Sequence, residues 1–522
     1  MKICLYIYAS VVTFFWITTR LVNCQAALRG QWDFVGYSGV SCMHCILSTN
    51  TNKAIFIERV ELSTDVEKDG KPTYSVEYDL DTNEIRPLTT LSNTFCSAGS
   101  YLPNGTIVNL AGAEAGKGFS EGFNRIRLFN PCDDKTCDWQ NDVYNLTENR
   151  WYPTVEMLAD GTLFIIGGSS KGAGVNNATI NVPSFEIYPS APGAKPIPFQ
   201  FLVDTLPNNL YPLVHLLTNG NLFILANQKA IVYDVTSQQI KINLPDVPRA
   251  ARNYPLTGAS VLLPLDSSNK SEVLVCGGGN KISSTQTVGE ISCARISPMS
   301  SNPSWEIEEM PFGRLMPDPT ILADGTVLIL NGCYEGTAGF GKGKNPVLTP
   351  VLYNPKAQAG SRFTIMQPSY IPRMYHSVAM TMPSGQVLVT GSNPNRTPMF
   401  TGPYPTEFRV ETFSPPYLFS SVPQPKIQQA PKNLKYGQSF EIEYVAYSGT
   451  RKITANFLNP GFVTHSIHMS QRLVWLDIIK LEDNKLSVMA PAGSTLAPPA
   501  PYLLHIVDNG IPSKAVWVSL SS

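Results

Sequence analysis

Few residues of this chain can carry redox or metal chemistry, and they lie far apart. Histidine is scarce: six in 522 residues, at positions 44, 215, 376, 465, 468 and 505. His376 directly follows Tyr375 in IPRMYHS, and His465 lies in GFVTHSIHMSQR. Two imidazoles brought together with phenols offer nitrogen and oxygen donors, and such a mixed set suits Cu(II) in a tetragonal or square-pyramidal arrangement. Spacing alone does not establish that site. No local metal motif joins the two histidines, and each taken singly reads as a structural residue before it reads as a ligand. The CMHC cluster at 42–45 resembles half of a zinc site. No second CxxC or HxxxH follows it, so its cysteines read as structural.

Residues this scattered need a framework that gathers loops, and the chain supplies one by repetition. An apolar pair, a turn with Gly, an apolar run and small residues recur as YLPNGTIVNLAG from Tyr101, MLADGTLFIIGG from Met157, LLTNGNLFILAN from Leu216, ILADGTVLILNG from Ile321 and TMPSGQVLVTGS from Thr381. A longer-turned copy begins at Val261 and a degenerate one at Ile46, with successive copies about 50 to 60 residues apart. Each reads as two strands joined by an Asn-Gly, Asp-Gly or Ser-Gly turn. Amphipathic helical periodicity is nearly absent. A hairpin cannot bury both faces alone, so the copies must stack around an axis, which also removes open sheet edges. An all-β fold is expected: a seven-bladed kelch-type β-propeller over 27–412, with an array of β-sandwiches as the less regular alternative. After Ser414-Pro415-Pro416 the repeat stops. KITANFL, RLVWLDII, KLSVMA and PYLLHIV alternate as in a small antiparallel sandwich, so an immunoglobulin-like domain is expected over 413–522.

The first residues bear on compartment. Lys2 precedes an apolar run from Ile3 to Ile17 that Arg20 and Asn23 end. This is the pattern of a signal peptide, expected over 1–26, and it is short for a spanning helix. A secreted, extracellular protein is expected. Ten cysteines and five Asn-X-Ser/Thr sequons, at Asn104, Asn145, Asn177, Asn269 and Asn395, agree with passage through a secretory lumen. Cys132 with Cys137, and Cys276 with Cys293, read as local disulfides. A net charge of −1, with neither basic stripe nor polybasic tail, gives no case for nucleic acid or an anionic membrane as partner.

A propeller does not name an activity. The chain resembles the glyoxal oxidase branch of the copper-radical oxidases, relatives of galactose oxidase. The resemblance runs in order through GQWDFVGYSGVSCMH, NTFCSAGSYLPNGT, NRWYPTVEMLADGTLFIIGG, PRMYHS, ETFSPPYL, THSIHMSQR and PYLLHIVDNGIPSKAVWV. It implies one copper ion and a Cys-Tyr thioether radical cofactor. Cys96 of FCSAG would be bonded through sulfur to the ring of Tyr152 of RWYPT. Tyr152, Tyr375, His376 and His465 would be the copper ligands, Tyr375 axial. The second nitrogens of both histidines are expected to be oriented by backbone carbonyls.

The resemblance further implies that Tyr375 takes the hydroxyl proton of a hydrated aldehyde and the Tyr152 radical takes its C–H hydrogen. Copper would accept the second electron and O2 would leave as H2O2. Small aldehydes such as glyoxal and methylglyoxal are the expected substrates, with extracellular peroxidases as possible consumers of the peroxide. The alternatives are a radical oxidase of primary alcohols and a non-catalytic kelch propeller binding wall polysaccharide or protein. His465 explains the second domain, which must send a loop down the propeller axis. Galactose oxidase stacks a tryptophan over the thioether where this chain has Ser170, so another group must cover the radical. With Cys96 in the thioether, Cys42, Cys45 and Cys333 leave an odd count, and one free thiol is expected.

Overall fold

In the computed structural model, which describes residues 29–60, 66–116, 118–172, 175–280, 286–447 and 452–521, every hairpin read from the sequence opens a four-stranded antiparallel unit. The signal segment expected at 1–26 lies outside the described residues. The hairpins are His44–Ser48 with Lys53–Ile57, Ala98–Tyr101 with Ile107–Leu110, Thr154–Met157 with Leu163–Ile166, and Leu213–Leu216 with Leu222–Ala226. Gly258–Leu262 with Val273–Gly277, Asp318–Ile321 with Val327–Leu330, and Ser377–Thr381 with Val387–Gly391 follow. Two more strands complete each sheet. In the last sheet the outermost is Gln31–Tyr37, which returns from the start of the chain to pair with Arg409–Ser414. The first strands of successive sheets pack side by side from Ala98–Tyr101 onward, and Ser377–Thr381 reaches back to His44–Ser48. This is the radial arrangement of a propeller.

Local chemistry explains the hairpins. In Asp160-Gly161 the carboxylate accepts the Thr162 N–H at 2.9 Å, and Gly161 takes a φ of 84° that a side chain would oppose. The inner strands are apolar without alternation because neighbouring sheets cover both faces; Leu163, Phe164, Ile165 and Ile166 are all buried. Helix is scarce among the described residues: Gln200–Asp204 and the 3-10 turn Pro416–Phe419 are its complete elements there. Arg409–Ser414 continues past the expected limit at 412 and stops at Pro415, which has no N–H to offer the ladder.

The C-terminal part forms two packed sheets. One contains Lys426–Gln429, Ser439–Val445, Lys485–Met489 and Asp477–Leu481; the other is built around Ala500–Asp508 and Ile453–Asn459. Ser439–Val445 alternates exposed and buried residues, as a sandwich strand with one wet face must. The hairpin turns of the propeller face this unit. A Cβ on Gly325 would lie 2.7 Å from the Trp475 ring, and one on Gly161 would lie 2.9 Å from Pro499.

Both expected disulfides, Cys132–Cys137 and Cys276–Cys293, are formed. The expectation of a single free thiol among Cys42, Cys45 and Cys333 is corrected: all three are unpaired and buried. Cys42 Sγ donates to His44 O at 3.0 Å and lies against the Cys45 thiol, and Cys333 Sγ donates to Glu335 O at 3.2 Å.

Candidate metal centre

Just before the inner strand of several sheets the chain places similar tetrapeptides: Arg150-Trp151-Tyr152-Pro153, Arg252-Asn253-Tyr254-Pro255, Arg314-Leu315-Met316-Pro317 and Arg373-Met374-Tyr375-His376. Asn209-Leu210-Tyr211-Pro212 is a variant without the arginine. The four arginines are buried and bind carbonyls of their own sheets. Arg150 donates to Gly167 O at 2.9 Å and Ser184 O at 3.1 Å; Arg373 donates to Gly391 O at 2.7 Å and Arg409 O at 3.0 Å. Burial pushes Arg314 down to about 9 and Arg252 to about 10, still above neutral pH. Each charged fork ties the strand entry to its sheet and so fixes the residue two positions later, a tyrosine in three cases and Met316 in the fourth, against the axis.

The fifth donor arrives from the other domain. Phe462–Thr464 and Ile467–Met469 form a hairpin whose first strand adds to the inner edge of the first sheet, Thr464 opposite His44 and Val463 opposite Cys45. The hairpin contacts inner strands of most of the other sheets and so occupies the axis. His465 and Ser466 form its tip with φ of 46° and 70°, the two-residue turn that demands positive φ at both positions. At its base, Ser470 N donates to Glu156 Oε2 at 3.1 Å, and Gln471 Oε1 accepts from Ile321 N at 2.7 Å.

All five sequence-predicted residues therefore converge, and all are buried. One ligand atom from each of Cys96, His376 and His465 lies within 4.8 Å of the others. Cys96 Sγ is 3.3 Å from His465 Nε2 and also in contact with the Tyr152 side chain. Tyr375 stacks on His376 with ring centroids 3.7 Å apart, and the His376 and His465 centroids are 4.9 Å apart. Burial, aided by His465 and Arg59, holds His376 well below its ordinary pKa; burial, aided by His44, does the same for His465. Both are thus neutral and able to give lone pairs. Burial, then Tyr254 and Cys96, raises Tyr375; burial, then Cys96 and Tyr254, raises Tyr152.

The expectation that carbonyls orient both histidines is corrected for His465, whose Nδ1 lies 2.6 Å from the Thr464 hydroxyl. His376 interacts with the Asn393 backbone, though neither ring nitrogen has a hydrogen bond of full geometry. A fully buried imidazole with a nitrogen left unpaired is costly unless another partner takes its lone pair. With a second neutral imidazole and two phenols beside it, this donor set fits a metal ion of the imidazole- and phenolate-binding kind.

Sequence reasoning missed Tyr254, Tyr211, Phe340 and Thr464. Tyr254 Oη is 3.4 Å from Tyr152 Oη and 3.1 Å from Tyr375 Oη, so it bridges the two phenols. Its ring lies over that of Tyr152 at 4.6 Å and 30°, and Trp151 stacks on Tyr152 at 5.3 Å and 24°. Those rings cover Tyr152, whereas Ser170 bonds to Ile180 O in a peripheral loop. Phe340 and Phe95 approach His376 edge-on, and Arg59 sits 4.3 Å above Phe340. The signal for Tyr254 and Tyr211 was present: both occupy the Tyr-Pro place of the tetrapeptide that holds Tyr152.

Comparison with known proteins agrees with this architecture. Residues 58–417 match the family described as glyoxal oxidase N-terminus, and 424–520 match the galactose oxidase-like early set domain. The chain is 37% identical to the aldehyde oxidase GLOX of Vitis pseudoreticulata, covering 95% of this chain and 98% of that one. It is 35% identical to aldehyde oxidase GLOX1 of Arabidopsis thaliana, covering 94% of this chain and 84% of that one. Among solved structures, a fungal alcohol oxidase of the AA5 family, in complex with copper, shares the fold with a TM-score of 0.74 and 19% identity. The match covers 94% of this chain and 100% of that one.

Proposed function

The chain belongs to the glyoxal oxidase family, and on that premise we propose that it is a secreted copper-radical oxidase of small aldehydes, glyoxal and methylglyoxal among them. The balanced reaction is RCH(OH)2 + O2 → RCOOH + H2O2. The observation that carries the reading is the cluster itself: His376, buried without a hydrogen bond of full geometry, with ligand atoms of His465 and Cys96 within 4.8 Å. Tyr152, Tyr375, His376 and His465 would hold the ion. Copper, when bound, supplies one of the two oxidising equivalents and the positive charge that lets a buried phenol ionise.

The other roles belong to the chain. Cys96, whose sulfur touches Tyr152, joins the ring of that tyrosine in a thioether; the thiol S–H and one ring C–H are lost, with O2 as the two-electron oxidant leaving as H2O2, and the phenol becomes electron-rich enough to store the second equivalent. Tyr375 Oη takes the hydroxyl proton of the hydrated aldehyde. Tyr152 Oη takes the C–H hydrogen. Tyr254 and Trp151 cover the Tyr152 ring, and Phe95 and Phe340 exclude water from the His376 side. Peroxide formed outside the cell would feed extracellular peroxidases.

The test is an assay of secreted, copper-loaded and mildly preoxidised protein on methylglyoxal and glyoxal, with H2O2 followed by a coupled peroxidase. Wild type should form peroxide and Tyr152→Phe none. Peroxide only from primary alcohols would move the substrate class. Failure to bind copper at all would remove the oxidase reading.

A further inference from the structure

We infer that Thr464 and His44 are positioning residues that fix the tautomer of His465, so that its Nε2 is left bare towards the metal; the identity of that metal rests on the oxidase reading above. Hydrogens can be counted along the contacts. Thr94 O is a carbonyl and only accepts, so His44 Nε2, 3.1 Å away, carries the hydrogen and donates it. Ser97 Oγ, 3.3 Å from the same nitrogen, already accepts from Asn109 Nδ2 at 2.7 Å. A neutral imidazole has one N–H. His44 is buried and both its ring nitrogens face uncharged partners, so the ring is neutral and its Nδ1 is an acceptor.

That Nδ1 lies 2.7 Å from Thr464 Oγ1, which therefore donates its single hydrogen to His44. Facing His465 Nδ1 at 2.6 Å, the same oxygen can then only accept. Tyr211, also beside Thr464, gives its hydroxyl hydrogen to Ser97 O at 2.9 Å and towards Thr464 can only accept, so whichever of His44 and Tyr211 takes the threonine hydrogen, none is left for His465. The hydrogen of His465 is thus held on Nδ1, and Nε2, 3.3 Å from Cys96 Sγ, keeps its lone pair.

The relay is assembled by strand pairing, since His44 and Thr464 are register partners where the axial hairpin joins the first sheet. The CMHC cluster thereby gains a function through its histidine. Were the hydrogen on Nε2 instead, an N–H would point at the metal position and that ligand would be lost.

The experiment uses nitrogen-15 NMR of histidine-labelled, metal-free full-length protein, with His465→Gln for assignment, and Cu(II) affinity by chelator competition. Wild type and Thr464→Ser should show a bare Nε2 on His465 and similar affinities. The isosteric Thr464→Val should show mixed tautomers and bind Cu(II) roughly 10- to 100-fold more weakly. His44→Phe frees the hydroxyl hydrogen for His465 Nδ1 and should move the imidazole hydrogen to Nε2, a reading independent of any misfolding at position 464. A hydrogen on Nε2 in the wild type overturns the inference. So does a Thr464→Val protein unchanged in both readouts; peroxide formation by wild type would then still stand. Conversely, a bare Nε2 in protein that binds Cu(II) yet forms no peroxide upholds the relay and sinks the oxidase.

Discussion

At the scale of residues, the centre is marked by backbone that L-amino acids avoid. Cys96, Tyr152, His376 and His465 have φ of 53°, 61°, 65° and 46°. A left-handed conformation costs a non-glycine residue roughly 1–2 kcal/mol, and such cost is borne where side-chain aim matters more than local comfort. Tyr254 reaches the site without that feature, through its hydroxyl and its ring. The two contributions separate in Tyr254→Phe, which keeps the cover over Tyr152 and removes the bridge to Tyr375. The expected loss is that of one hydrogen bond, about 0.5–1.5 kcal/mol, or roughly 2- to 10-fold in kcat. Steady-state rates on methylglyoxal would read it, and a variant as dead as Tyr152→Phe would make Tyr254 a direct participant.

At the scale of elements, the axial hairpin is the decisive piece, and its tip is built from unfavourable residues. Ser466 has a φ of 70° in a turn whose second position favours glycine. Ser466→Gly should therefore raise stability by about 1 kcal/mol with copper affinity unchanged, measured by urea denaturation and metal titration. A lower midpoint would mean that the serine side chain contributes something the turn argument omits. The same element shows what the sequence could disclose. The Asp-Gly and Asn-Gly hairpins announce themselves because turn chemistry is local, and the five site residues are recognisable because their motifs are. That Thr464 would face His44, or that Tyr254 would lie over Tyr152, depends on strand register between distant segments and on how sheets stack around an axis. Neither is encoded in any short window. The arginine tetrapeptide lay between these cases: a repeat visible in the letters, whose meaning required seeing the carbonyls it binds.

At the scale of the whole molecule, propeller and sandwich share a buried charge. Glu156 of the propeller accepts from Ser470 and Leu216 near Arg472, and burial pushes it up to about 7 from an ordinary 4.5. A carboxyl raised on folding contributes stability that is full below pH 4.5 and is lost as pH rises through about 7. The buried histidines act in the opposite sense. His44 and His215, pushed down to about 3, and His505, to about 4, add stability that is present above pH 6.5 and lost as pH falls. Comparing wild type with Glu156→Gln isolates the first effect: with the histidines left unopposed, the gain in unfolding free energy from pH 5 to pH 8 should be larger in the variant. An unchanged difference would show that Glu156 is ionised throughout that range.

The closing strand of the ring has a consequence for how the protein is made. Gln31–Tyr37 must wait for its partner Arg409–Ser414, and His44 for Thr464. During vectorial synthesis these strands thus leave the ribosome hundreds of residues before their partners exist, and His465 is translated long after the other four site residues. Neither ring nor ligand set can be complete on a nascent chain stalled midway. Truncated products would be metal-poor and inert, so the proposed oxidase chemistry would be confined to molecules in which both partners have been made.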